Sequence, residues 1–270
     1  MTWQPTCITQ FVEARKSSTQ VVIVETDAGR GFLKAMGNPE GEHALACDWV
    51  GTQLAKWFGL STLEQAIVDV DEIVEIRFLN GSLAKMGPAL VTRALKGDSW
   101  SGETRQLSKL QNQEDISRLV VFDTWILNRD RHSLNRQNRD NVFLSAEASQ
   151  LELLAIDHTH CFGVSGGELT ERVAHIENCR DCAVYGLFPE FKKFLDKDAV
   201  SQGIVQLRRI DKETIKQIID AIPAEWQVTG KASAALIQLV LQRAAFVADT
   251  IYERLWLQKE LKFTDQVPED

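Results

Sequence analysis

Apolar positions along the chain change rhythm partway, and the change divides it into two parts. Residues Val21 to Thr26 form a β-branched run, Asp27 to Gly31 a glycine-rich turn, and Phe32 to Met36 a second apolar run, which together predict a β-hairpin. From Glu42 to Phe58 the apolar residues Leu45, Trp49, Val50, Leu54 and Trp57 recur at helical spacing, and Gly59 supplies a stop signal. Strands are expected again over Ala66 to Val70, Ile73 to Phe78 and Ala89 to Leu95. Beyond Gly97 the helical rhythm takes over. Glu114 to Leu127 reads as an amphipathic helix, followed by a polar stretch from Asn128 to Asn141. Two short strands, Val142 to Leu144 and Leu151 to Ile156, precede further helices over Asp211 to Ile222 and Ala232 to Trp256. The apolar stripe of the last helix requires a partner surface.

Composition narrows the class. With 270 residues, 44% hydrophobic and 25% charged, the chain can bury a large core in one domain or two lobes, and disorder is disfavoured. A formal charge of -8 argues against a surface built to hold nucleic-acid phosphates. Neither a signal sequence nor an apolar run of bilayer length is read, so a cytoplasmic protein without a membrane span is expected. Five cysteines fit free thiols in a reducing compartment. Cys179 and Cys182 are read as ordinary cysteines, the alternative being a zinc site completed by His160, Cys161 or His175.

The densest chemistry lies in Asn128-Arg129-Asp130-Arg131-His132-Ser133-Leu134-Asn135, continuing to Asn141 at the start of a strand, and in Ile156-Asp157-His158 at the end of the next. Phosphoryl transfer requires a carboxylate to orient the attacking hydroxyl, together with an amide oxygen and a second carboxylate to hold magnesium on the phosphates. Asp130 fits the first role and Asp157 the second carboxylate. Two asparagines compete for the amide. Asn135 has the five-residue spacing from Asp130 usual in kinases, whereas Asn141 directly precedes the strand. A nucleotide site also needs a cation, and Lys34 lies in an apolar strand where burying an unpaired charge is costly. Either it pairs with an acid of the following helix, Asp48 or Glu42, or it faces solvent. Gly29 and Gly31 would let the hairpin turn approach phosphates.

At this point the residues resemble a family. Phe32 to Gly41, the helix end Leu54 to Leu60, the Asp130-Arg131 loop, Leu154 to His158, and Ile222-Pro223-Ala224-Glu225-Trp226 together are similar to the HipA-like kinases, and especially to their short bacterial branch. The resemblance runs from Val21 to Trp256. It implies an α+β, bilobal protein-kinase-like fold, with residues 1–97 as an N-lobe, 98–258 as a helical C-lobe and 259–270 as a frayed tail. It also implies ATP and Mg2+ as cofactors. Lys34 would sit on the phosphates, Asp48 would replace the usual helix glutamate, Asp130 would be the base and Asp157 the metal ligand. Arg93, Ala94 and Leu95 would lie at the hinge that receives adenine. The implied activity is serine/threonine protein kinase, with a protein substrate and an antitoxin or regulatory partner. A kinase of a lipid or small-molecule hydroxyl, and a nucleotide-binding pseudokinase, are the alternatives.

Overall fold

The computed structural model describes residues 3–147, 150–164 and 168–260. The first part of the chain builds an antiparallel sheet of five strands, β1 (Ile8–Ala14), β2 (Val22–Thr26), β3 (Gly29–Lys34), β4 (Gln65–Val70) and β5 (Gly87–Arg93), in the order β1-β2-β3-β5-β4. Helix α1 (Glu42–Phe58) lies between β3 and β4 in sequence, and Gly59 closes it in the left-handed conformation that glycine adopts without a Cβ penalty. The β1 strand was not legible because it lies at the sheet edge, bulged and half polar, with only Ile8 fully buried. The expected strand over Ile73 to Phe78 is absent. That stretch is an irregular cover whose Ile76 and Phe78 cap the outer face of the sheet.

After the connection at residues 94–96, β6 (Gly97–Ser99) pairs with β9 (Val142–Ser145), which pairs with β10 (Glu152–Ala155). The remainder is helical: α2 (Thr104–Leu107), α3 (Asp115–Trp125), α4 (Ile176–Cys179), α5 (Lys197–Leu207), α6 (Lys212–Asp220) and α7 (Gly230–Glu260). The polar stretch after α3 contains a two-stranded hairpin, β7 (His132–Ser133) and β8 (Arg136–Gln137). The α5 helix falls in the stretch expected to be helical, though without bounds of its own; Asp196 caps it by accepting from the Ala199 amide at 2.7 Å. Residues 261–270 of the expected tail lie outside the described residues, and 259–260 belong to α7. By length and composition α7 is apolar enough to cross a membrane, contrary to the reading that no such run exists. Here it packs against α3, α5 and α6, which supplies the partner surface its stripe requires.

Two apolar cores result. A small one covers the outer face of the sheet, with Val22, Val24, Leu33, Val68, Ala89 and Val91. A larger one joins α1 to the helical part, so that Leu45, Val50, Leu54 and Phe58 pack with Phe122, Trp125 and the α7 residues. The two are tied together where the Trp226 indole donates to the Pro88 carbonyl at 2.9 Å.

Candidate active site

A cavity of about 290 Å³ opens between the sheet and the β9–β10 hairpin. Its walls are apolar at one end, with Phe32, Leu63, Phe143 and Ala155, and charged at the other, with Lys34, Asp48 and Asp157. Lys34 ends β3 and points inward. Its Nζ donates to Asp48 Oδ2 at 2.7 Å, to Asp157 Oδ1 at 3.0 Å and to Thr159 Oγ1 at 2.8 Å. Of the two acids open in the sequence, Asp48 is therefore the helix partner; Glu42 pairs instead with Lys85. Burial works to lower the Lys34 pKa, but the charges of Asp157 and Asp48 outweigh it and hold the ammonium above its ordinary value. Burial likewise works to raise the Asp157 pKa, and Lys34 together with the Thr159 hydroxyl pulls it well below the usual carboxylate range. Asp157 is ionised at neutral pH.

Asp157 also sits at φ 55°, a conformation that costs a non-glycine residue and persists only where its surroundings hold it. The holding is visible. Its neighbour His158 donates its amide to Asp48 Oδ1 at 3.0 Å, and its Nδ1 lies 2.9 Å from Thr52 Oγ1 of α1. The imidazole packs edge-on against Phe122 and lies so close to Gly51 that a Cβ there would overlap it. Burial, then the nearby Arg131, pushes the His158 pKa well below its ordinary value, so the ring is neutral.

Asp130 stands on the loop between α3 and β7. Its Oδ2 accepts from Asn138 Nδ2 at 3.0 Å and Asn141 Nδ2 at 2.8 Å. Its Oδ1 lies 2.6 Å from the exposed Arg136 guanidinium but has no aligned hydrogen-bond donor. Arg131, fully buried, fixes the loop by donating to Asp123 Oδ2 at 2.7 Å and to the Ile156 carbonyl at 2.8 Å. The second bond ties the Asp130 loop directly to the strand end that presents Asp157.

The structure brings some expected residues together and leaves others apart. Asn141 is buried against Asp130, whereas Asn135 is exposed at the tip of the β7–β8 hairpin, because the hairpin turns the five-spaced residue away from the cleft. Gly29 is not brought to the cavity either. It pairs with Thr26 at the opposite end of β3, roughly 17 Å along the strand from Lys34. Gly31 serves sheet packing, since a Cβ there would come within 2.5 Å of Val91 Cγ2. It is Val21, from the β1–β2 connection, that lines the cavity. At the hinge, the Arg93 side chain is held by Glu64 at 2.6 Å and the Ala94 amide donates to the Arg30 carbonyl at 3.0 Å. The Leu95 amide makes no protein hydrogen bond among the described residues. Thr159, Thr52 and Asn138 were missed; each is a small polar residue whose position in a loop or helix carries no sequence signal of its own. Cys179 and Cys182 each donate to a nearby carbonyl, and no group of three His, Cys, Asp or Glu suited to a metal occurs among the described residues.

A five-stranded sheet and one helix set over a helical body, with a buried lysine–acid pair at the cavity and a loop carboxylate tied through Arg131 to the strand end that presents Asp157, define a protein-kinase-like fold and a kinase-like phosphotransferase. The chain belongs to the HipA-like kinase family, whose model matches residues 11–258. Among solved structures it is similar to a Helicobacter pylori proinflammatory kinase, CtkA, with 14% identity, a TM-score of 0.58, and 95% of this chain and 100% of that one covered. It is similar also to a Golgi casein kinase, with 10% identity, a TM-score of 0.53, and 92% and 74% covered. A third similar structure is HipA of the Shewanella oneidensis MR-1 HipA–HipB toxin–antitoxin system with operator DNA, with 14% identity, a TM-score of 0.49, and 88% and 64% covered. No curated protein matches the sequence.

Proposed function

We propose that the chain transfers the γ-phosphoryl group of magnesium-bound ATP to a serine or threonine hydroxyl of a protein. The observation that carries this reading is the Lys34 ammonium held 2.7 Å from Asp48 and 3.0 Å from Asp157, at the charged end of a cavity with apolar walls. Lys34 is the cation for the α- and β-phosphates. Asp157 supplies ionised oxygens to magnesium, a hard cation that prefers such ligands. Asn141 fits the same role, because its amide nitrogen is committed to Asp130 and its Oδ1 has no protein partner among the described residues. When bound, magnesium neutralises phosphate charge as it develops. Asp130 accepts the proton of the incoming hydroxyl on Oδ1 when the exposed Arg136 guanidinium that covers that oxygen moves aside, while Oδ2 stays anchored to the two amides. The Leu95 amide, which makes no protein hydrogen bond among the described residues, is the hinge donor to adenine in this reading. The five free thiols suit a cytoplasmic setting, and a regulatory or antitoxin-like partner accords with the family.

The test is incubation with γ-labelled ATP and magnesium, beside Asp130→Asn, followed by phosphoamino-acid analysis of any labelled protein. Labelled serine or threonine that disappears in the variant is the expected result. Label recovered only in lipid or small-molecule fractions would assign a different hydroxyl, and nucleotide binding without turnover would make the chain a binding module.

A further inference from the structure

The hairpin inserted between Asp130 and Asn141 sets a cation over the base. Its strands pair His132 with Gln137 and Ser133 with Arg136, leaving Leu134 and Asn135 as a two-residue loop. The root of the hairpin is fixed. The Gly186 amide donates to the His132 carbonyl at 3.0 Å, the Asn138 amide donates to the Arg131 carbonyl at 2.9 Å, and the His132 ring packs on Phe188. The tip stands in solvent, with Leu134 wholly exposed. Arg136, the first residue after the loop, turns its guanidinium back to within 2.6 Å of Asp130 Oδ1, and its side chain makes no other ion pair among the described residues. Asp130 is 5% exposed and Arg136 60%, so the acid lies beneath and its cover lies in water. Asn138 and Asn141 hold Oδ2, which leaves Oδ1 for a hydroxyl, yet Oδ1 is buried. A hydroxyl reaches it only when the guanidinium leaves.

Resting on the kinase reading above, we propose that Arg136 is a specificity-determining cover of the base, drawn aside by a carboxylate that flanks the acceptor hydroxyl. A neutral acceptor must separate Arg136 from Asp130 and leave the guanidinium without an acidic partner. An acceptor with Asp or Glu beside its serine or threonine exchanges one ion pair for another, and the same movement frees Oδ1. A pair with one partner this exposed contributes little to stability, so the cover opens by side-chain rotation while the hairpin stays folded on its anchored root. The neighbouring Arg139 cannot take this part, because Glu190 holds it at 2.7 Å and it lies over the Trp100 ring.

The experiment has two arms, each run on the full chain and on its Arg136→Ala and Arg136→Lys variants. In the first, carboxyl groups are labelled with a carbodiimide and an amine and read by mass spectrometry. Asp130 is expected to react roughly 2- to 5-fold faster in Arg136→Ala than in the wild type, the range an exposed ion pair provides, and faster in the wild type at high salt, which screens such pairs. Asp123, fully buried against Arg131, should stay unlabelled throughout and so report an intact fold. In the second arm, a degenerate serine and threonine peptide library is phosphorylated with γ-labelled ATP and magnesium. Acidic residues flanking the acceptor should be enriched roughly 2- to 5-fold over neutral ones by the wild type, retained by Arg136→Lys and unselected by Arg136→Ala. Equal labelling of Asp130 in wild type and Arg136→Ala with Asp123 protected would overturn the inference, as would an acid preference that is missing from the wild type or survives in Arg136→Ala. These outcomes leave the kinase reading standing. Failure of the wild-type chain to label any library member or itself would remove that reading and this inference together.

Discussion

The two carboxylates of the site, Asp157 and Asp130, are held by opposite means. Asp157 is pinned by a buried ammonium, with the Lys34 side chain 13% and Asp48 4% exposed, and full charges fix its ionisation as well as its place. Asp130 is oriented by the neutral amides of Asn138 and Asn141, and its ion-pair partner Arg136 is 60% exposed, where such pairs contribute little. A metal ligand must stay ionised while a divalent cation comes and goes, and a permanent cation beside it ensures that. A base must exchange a hydrogen bond with substrate, and neutral donors on one oxygen fix its direction while the other is covered only by an exposed guanidinium that substrate can displace. The first arrangement is therefore part of the architecture, whereas the second is chiefly chemical.

The sharpest way to break the comparison is to remove each acid and read activity against stability. Asp130→Asn should lower phosphoryl transfer by about 10²- to 10⁴-fold and leave the denaturant midpoint nearly unchanged; a large loss of stability would show that the loop acid is architectural after all. Asp48→Ala should lower unfolding free energy by about 3 kcal/mol or more, because it leaves Lys34 short of a partner and the His158 amide without an acceptor. An unchanged urea midpoint would contradict this. Gly51→Ala, which forces α1 away from His158, should destabilise by about 1–3 kcal/mol and raise the magnesium concentration needed for nucleotide binding.

Smaller is the pH effect. His158 is held neutral in the fold, with its pKa depressed from an ordinary 6.5, so the unfolded chain takes up a proton first as pH falls. Stability should then decline below about pH 6.5 with a slope of at most about 1.4 kcal/mol per pH unit, and His158→Phe should flatten that decline in urea melts at pH 7.5, 6 and 5. The smallest expected effect belongs to Asn135→Ala at the exposed hairpin tip, which should leave magnesium dependence unaltered where Asn141→Ala weakens it. The reverse pattern would move the metal to the tip.

How legible each part was follows from where its information lies. The α1 helix could be read to its ends, since its apolar spacing and Gly59 are local signals. The order of helix, polar loop and two strands around Asp130 and Asp157 was equally local. The β1 strand went unread, and the cover over Ile73 to Phe78 was misread as a strand, because sheet edges and irregular covers obey tertiary packing rather than period. The choice between Asn135 and Asn141 depended on a two-residue hairpin inside a polar run, and no hydrophobic pattern records that. Gly29 misled because a glycine-rich turn looks alike at either end of a hairpin; only the pairing of Lys34 with Leu90 shows which end meets the cleft.

Helix α1 belongs to the larger core, and that limits how the protein can be controlled. Swinging this helix outward, as a means of separating Lys34 from Asp48, would bring Leu45, Val50, Leu54 and Phe58 into water, all four at 0–1% exposure. At about 1.5–3 kcal/mol for each, such a state would be occupied by fewer than roughly one molecule in 10⁴. Inactivation by helix displacement is closed to this architecture, and any silencing signal must act on the smaller sheet, on access to the cleft, or on the supply of acceptor.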